Sequence, residues 1–142
     1  MNEIAVKKWL KGHEGFEDKV YLCTNGVPTG GWGHAFLEGS AIPLEVAQIF
    51  FQLDYAQAKV DLHKLIDLYK LPNLGPVRQA VLIGMLFQLG LTKVMKFEKM
   101  IAALQLKDFK LAAQEMRNSN WAKQTPARVT EAATMMLTGK IS

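Results

Sequence analysis

The sequence predicts an α+β fold that is mostly α-helical, with a small β-hairpin element beside a helical majority. Three observations carry this. Asn25-Gly26 stands between two short strand-like runs, Lys19 to Cys23 and Val27 to Trp32, and such a pair is a strong hairpin signal because both residues tolerate positive φ. From Pro43, apolar residues at Leu44, Ala47, Phe50, Leu53, Ala56 and Val60 recur at helical spacing towards Leu65, a helix long enough to link two lobes. From Pro76 onward the pattern is helical almost to the end of the chain. With 142 residues, about half of them hydrophobic, the chain has enough apolar surface for one folding unit.

The elements follow in order. Ile4, Val6, Trp9 and Leu10 predict a short amphipathic helix over 2–11, with Asn2 as its N-cap and with Gly12 and Gly15 as its stop. The hairpin comes next. Pro28 cannot donate to a ladder, which confines the second strand to a sheet edge, and Gly30, Gly31 and Gly33 leave backbone bare where a ligand can approach. Pro43 suits the first turn of the linking helix, which ends before Pro72. Pro76 to Leu89 is apolar nearly all round and reads as the central buried helix, closed by Gly90. Two amphipathic helices follow, roughly over 92–106 and 108–118. Thr125-Pro126 then supplies an N-cap and a first-turn proline for a last helix ending near Gly139.

A formal charge of +4 comes from lysines spread over several segments with acidic residues interleaved. This solvated basic surface favours polyanions in general and selects none of them. Cys23 is the single cysteine, so no intramolecular disulfide supports the fold. The N-terminal stretch carries Lys7, Lys8 and Lys11 and lacks a signal-peptide core, which points to synthesis in the cytoplasm. Ala80 to Leu89 is the longest apolar stretch and is far too short to span a bilayer.

Glu14 is expected just past the end of the first helix, where the macrodipole presents about half a negative charge and disfavours the ionised carboxylate. A carboxyl kept protonated there can donate a proton to a leaving oxygen. Strand alternation puts Tyr21 and Cys23 on one face of the first strand and Val27, Thr29 and Gly31 on one face of the second. If that shared face turns towards Glu14, a thiol and a hydroxyl stand opposite the acid, and Thr29 Oγ1 can hold a water. His34, His13 and His63 have no second ligand at metal spacing, so no metal and no cofactor is expected. His34 reads as a structural histidine with Asp54 as its candidate carboxylate partner. The sequence contains neither a phosphate-cradling loop nor a serine-nucleophile elbow.

Leu10-Lys11-Gly12-His13-Glu14-Gly15, Tyr21, and Thr29-Gly30-Gly31-Trp32-Gly33-His34 together resemble the catalytic region of the phage-type lysozymes, glycoside hydrolase family 24. Glu14, Cys23 and Thr29 match the family's glutamate–aspartate–threonine spacing without a gap. The likeness continues through Val77-Arg78-Gln79-Ala80, Phe87-Gln88-Leu89-Gly90 and Trp121-Ala122-Lys123-Gln124-Thr125-Pro126-Ala127-Arg128, covering nearly the whole chain. It implies a single lysozyme domain over 1–142, with a small hairpin lobe at about 13–55, a helical lobe of 1–12 plus 56–142, and a substrate cleft between them. It implies hydrolysis of the β-1,4 bond between N-acetylmuramic acid and N-acetylglucosamine in peptidoglycan. Glu14 would be the general acid, with Cys23 and Thr29 holding what approaches the opposite sugar face. Arg128 matches a position that can pair with the catalytic glutamate, and Gln88 and Trp121 match positions near the cleft that can contact substrate.

Two departures stand out. Many relatives have aspartate where this chain has Cys23, and a free thiol is mostly neutral at neutral pH; relatives with cysteine also occur. Only Ala35 to Ile42 separates His34 from the linking helix, so the outer lip of the cleft is expected to be short. Cys23 motivates a second reading, a lysozyme-like wall-binding module with impaired catalysis. The charge motivates a third, a basic adaptor for nucleic acid or membrane, which leaves the glycine-rich hairpin unexplained. The preferred reading takes peptidoglycan as substrate, with no nucleic acid, no stable membrane insertion and a monomeric state. The likeness further implies synthesis in the host bacterial cytoplasm and action on the wall in the periplasm, after release through a phage holin-type pore.

Overall fold

The computed structural model describes residues 2–141, and the chain falls into two compact units that part between Leu44 and Glu45. The first opens with helix α1 (Glu3–Glu14). Asn2 caps it as expected, its side-chain oxygen accepting from Ile4 N at 3.1 Å and Ala5 N at 3.3 Å. Gly12 does not stop the helix. A glycine inside a helix costs only about 1 kcal/mol, whereas Gly15 at φ 68° turns the chain away and donates its N–H to Lys11 O. Glu14 is therefore the last helical residue and not the first one beyond it.

The sheet has three strands in the order β1 (Glu17–Leu22), β2 (Pro28–Gly31), β3 (His34–Ala35), all neighbours antiparallel. Tyr21 pairs with Thr29 and Leu22 with Pro28, and an irregularity shifts the register before Glu17 meets Gly31. The Asn25-Gly26 turn forms where expected, closed by Gly26 N donating to Cys23 O at 2.8 Å, with Gly26 at φ 75°. The sequence reading put β2 at a sheet edge because of Pro28; the structure corrects this. Short β3 pairs Ala35 with Thr29 and His34 with Gly30, which makes β2 the central strand. Pro28 is tolerated because it is the first residue of its strand, and its carbonyl still accepts from Phe36 N at 2.8 Å.

The second unit holds all of α2 (Leu44–Tyr69) but its first residue, with α3 (Pro76–Leu89), α4 (Leu91–Met95), α5 (Glu98–Gln105), α6 (Phe109–Arg117), α7 (Asn120–Gln124) and α8 (Pro126–Thr138). At 26 residues, α2 is about 39 Å long. It buries Ala58, Asp61, Leu62 and Leu65 from its C-terminal half. Helix α3 runs between the residues the sequence marked, but it buries one stripe, Val81, Leu82, Met85 and Leu86, and is not enclosed all round. On its other side Phe87 is partly exposed and packs on Phe51 of α2, ring centroids 5.6 Å apart.

The single helix expected over 92–106 is two. Lys96 N and Phe97 N each bond a carbonyl three residues back, and Phe97 leaves the helical region before α5 begins. Helix α7 and its cap Ser119, which accepts from Ala122 N at 3.2 Å, were not foreseen. Asp108 caps α6 through Leu111 N at 3.1 Å, and Gly139 ends α8 in the left-handed conformation at φ 69°.

The core fills with flexible and small side chains. Leu65, Leu82, Met85, Met100, Leu104, Met116 and Met136 are fully buried, and Ala103, Ala112, Ala113 and Ala133 let helices approach closely. Arg78 locks α3 onto the end of α8. Its Nε donates to Met136 O at 2.7 Å and its Nη2 to Leu137 O at 3.1 Å, while the guanidinium lies 3.5 Å from the Phe109 ring centroid. A cation on the last carbonyls of a helix also opposes the macrodipole favourably. No described helix is long and apolar enough to cross a membrane.

Candidate active site

Glu14 at the end of α1 and the Cys23–Thr29 pair on the hairpin lie in the same compact unit. Glu14 sits at the very end of α1, and its carboxylate reaches the turn between β2 and β3. There it rests on the bare Cα of Gly33: a β-carbon added at Gly33 would collide with Oε2 and stand 3.0 Å from Cδ. Gly33 also has φ 73°, a conformation that calls for glycine, and a side chain there would push the exposed Glu14 carboxylate aside.

Cys23 and Thr29 meet on the ribbon. Cys23 closes the end of β1, its N–H donating to Val27 O at 3.0 Å, and it is half-buried. Hydrogen bonds from the backbone of Val27 and then of Asn25 hold its thiol below the ordinary cysteine value; burial opposes them, and the Thr29 side chain adds to the lowering. Thr29 is buried, and its hydroxyl donates to Val27 O at 2.8 Å. The two small polar groups thus share one face of the hairpin, as the alternation predicted. A hydroxyl with free lone pairs beside a thiol biased towards thiolate can hold and polarise a water.

His34 lies on β3, exposed, with its imidazole edge-on to Phe36 at 4.9 Å. Asp54 is exposed on α2, and Arg128 is exposed in the first turn of α8. In the second unit Gln88 and Trp121 form a pair. The Trp121 indole N–H donates to Gln88 Oε1 at 2.9 Å, and Gln88 Nε2 lies 3.5 Å from Thr125 Oγ1. Trp121 is only 3% exposed, so most of its ring belongs to the core. Its remaining surface helps line a hollow of about 500 Å³ with Phe97, Lys93, Lys96 and Lys99. Among the described residues no group of three or more His, Cys, Asp or Glu is placed to hold a metal ion.

Sequence reasoning missed the residues that frame Glu14. Trp32, at the tip of the β2–β3 turn, has Lys11 Nζ 4.2 Å from its ring centroid and the Phe16 ring 4.8 Å away. A tryptophan flanked by two glycines was the visible signal, since a large ring on a bare turn needs a partner to order it.

Comparison with known proteins bears directly on this geometry. A probable T4-type lysozyme of Dictyostelium discoideum, number 1, is 27% identical over 166 residues, covering 97% of this chain and 96% of its own length. A second from the same organism, probable T4-type lysozyme 2, is 36% identical over 69 residues, covering 49% of this chain and 41% of its own. The pre-baseplate central spike protein Gp5 of Enterobacteria phage T4 is 28% identical over 169 residues; the match takes in 97% of this chain and spans only 28% of the spike protein's length. The family model described as phage lysozyme matches residues 11–133, a stretch that contains Glu14, Cys23, Thr29 and the Gln88–Trp121 pair. The chain belongs to the phage lysozyme family.

Proposed function

We propose that this chain is a peptidoglycan hydrolase, a lysozyme that cleaves the β-1,4 bond between N-acetylmuramic acid and N-acetylglucosamine. The observation that carries the reading is the Glu14 carboxylate, set at a helix end against Gly33 in the same compact unit as the Cys23–Thr29 pair. In this mechanism Glu14 gives its proton to the glycosidic oxygen as the bond to the anomeric carbon breaks, and the leaving sugar departs as a neutral alcohol. Thr29 and Cys23 hold the water that attacks the anomeric carbon from the face opposite Glu14, and the water's proton passes to solvent. Charge builds up on the sugar in an oxocarbenium-like transition state, so a thiol biased towards thiolate stabilises it more than a neutral thiol does.

Gln88 and Trp121 are assigned to the substrate surface, and His34, Asp54 and Arg128 to supporting the acid and its surroundings. The enzyme acts as a monomer on the host wall in the periplasm, reaching it from the cytoplasm through a holin-type pore and bringing about lysis. That part of the reading is supported by the family alone.

Clearing of outer-membrane-permeabilised Gram-negative cells, followed by turbidity, tests the proposal. The wild type clears the suspension and Glu14→Gln does not. A wild type that pulls down peptidoglycan without clearing cells or releasing reducing ends favours instead the catalytically impaired wall-binding module, for which the thiol at position 23 is the argument. Steeply salt-dependent binding to DNA or acidic vesicles with neither activity points to a basic adaptor.

A further inference from the structure

Trp32 is about half exposed, yet two side chains hold its ring. Lys11 lies one helical turn before Glu14 on α1, so the two project from the same side of the helix. Phe16 lies two residues after Glu14. The Lys11–Trp32 and Phe16–Trp32 contacts therefore tie the chain on either side of Glu14 to the residue next to Gly33. Gly31 at φ 62° and Gly33 at φ 73° fix the direction of the turn from both ends. The outcome is the contact already described, in which the Glu14 carboxylate lies where a β-carbon of residue 33 would be.

We propose that Gly33 and the clamped Trp32 are positioning residues for Glu14, together forming a seat that fixes where its carboxylate sits. This rests on the reading of Glu14 as the acid, and it adds a constraint that the catalytic groups alone do not contain. A proton donor must be placed to within a fraction of an ångström of the leaving oxygen, and a side chain with three free torsions does not hold such a position unaided. Gly33 supplies a surface without a side chain. Trp32 keeps that surface in register with α1.

The test compares the full chain with Gly33→Ala, Gly39→Ala, Trp32→Ala, Trp32→Phe and Glu14→Gln. Gly39 is the control for backbone strain: its φ is 81°, and a β-carbon there meets nothing within 4 Å. Two experiments are read: the kinetics, kcat and KM, of release of reducing ends from purified peptidoglycan, and the pH titration of the Glu14 carboxyl carbon by NMR. Gly33→Ala is expected to lower kcat by about tenfold or more while KM stays within about twofold, since displacing a catalytic group costs turnover before binding. Its Glu14 resonance and titration midpoint move, whereas Gly39→Ala keeps both near wild type. Trp32→Ala shifts kcat and the Glu14 resonance in the same direction, and Trp32→Phe, which keeps an aromatic ring for Lys11 and Phe16, restores them.

A Gly33→Ala protein with wild-type kcat and an unmoved Glu14 titration overturns the proposal. Should Gly33→Ala not fold, an unmoved Glu14 resonance in Trp32→Ala overturns it equally. The catalytic reading fails separately, when Glu14→Gln hydrolyses peptidoglycan as fast as the wild type; the NMR comparison still decides whether the seat exists.

Discussion

In the proposed mechanism Cys23 stands where a carboxylate would act, and the groups around it hold its thiol below the ordinary value. The backbone N–H groups that hold its thiol below the ordinary value favour the thiolate, the only form of a thiol that brings negative charge to the site. The limb of the pH profile that follows thiolate formation, superimposed on the demand that Glu14 stay protonated, should therefore vanish in Cys23→Ala. Cys23→Asp, which is charged throughout the neutral range, should retain or raise kcat and move the limb to the acid side. A stability consequence follows from the same shift. Because the folded-state value is lowered, the thiolate stabilises the folded protein fully above the unfolded cysteine value of about 8.5. That contribution is lost as pH falls through the folded-state value. The difference in Tm between wild type and Cys23→Ser should accordingly widen at alkaline pH and close on the acid side. Glu14, Cys23 and Thr29 stand out in the sequence as candidates because all three lie within sixteen residues and strand alternation fixes the face of two of them. The seat beneath Glu14 was not legible. It depends on the chain returning from residue 14 to residue 33, and no local pattern encodes that meeting.

At the scale of elements, the boundaries that were read correctly carry residues with one backbone preference. Asn25-Gly26 set the hairpin, Pro76 and Gly90 bounded α3, and Pro126 and Gly139 bounded α8. The break between α4 and α5 falls at Lys96-Phe97, where neither residue marks a boundary, so helical periodicity ran through it. Strand β3 is two residues long and exists only by pairing with β2, which no alternation over so short a run reveals. Arg78 is the element-scale device that the motif in the sequence did not explain. Its charged hydrogen bonds to Met136 O and Leu137 O are worth roughly 1.5–3 kcal/mol together with α8 in place, and its stacking on Phe109 adds to this. Arg78→Met should lower the urea unfolding free energy by about 2 kcal/mol, and Arg78→Lys should recover only part of it because an ammonium lacks the planar fork. Trp121→Phe should cost a further, separable amount of about 1–3 kcal/mol, since it strands Gln88 Oε1 beside the core. Equilibrium unfolding in urea measures all three.

Across the whole molecule, the buried core and the proposed catalytic groups lie in different parts of the chain. The fully buried methionines and leucines all belong to the second unit, whereas Glu14, Cys23, Thr29 and Gly33 belong to the first. Leu104→Ala or Met116→Ala should therefore destabilise by about 2–5 kcal/mol, yet leave kcat close to wild type at temperatures where the protein stays folded. Glu14→Gln should do the reverse. The measurement that bears most directly on the account is the release of new reducing ends from purified peptidoglycan by wild type and by Glu14→Gln, with both shown folded by circular dichroism. The account predicts soluble fragments ending in reducing N-acetylmuramic acid from the wild type and a loss of about 10²-fold or more in the variant, the usual contribution of a general acid. Equal rates from the two proteins, or fragments cut only in the peptide, would contradict it.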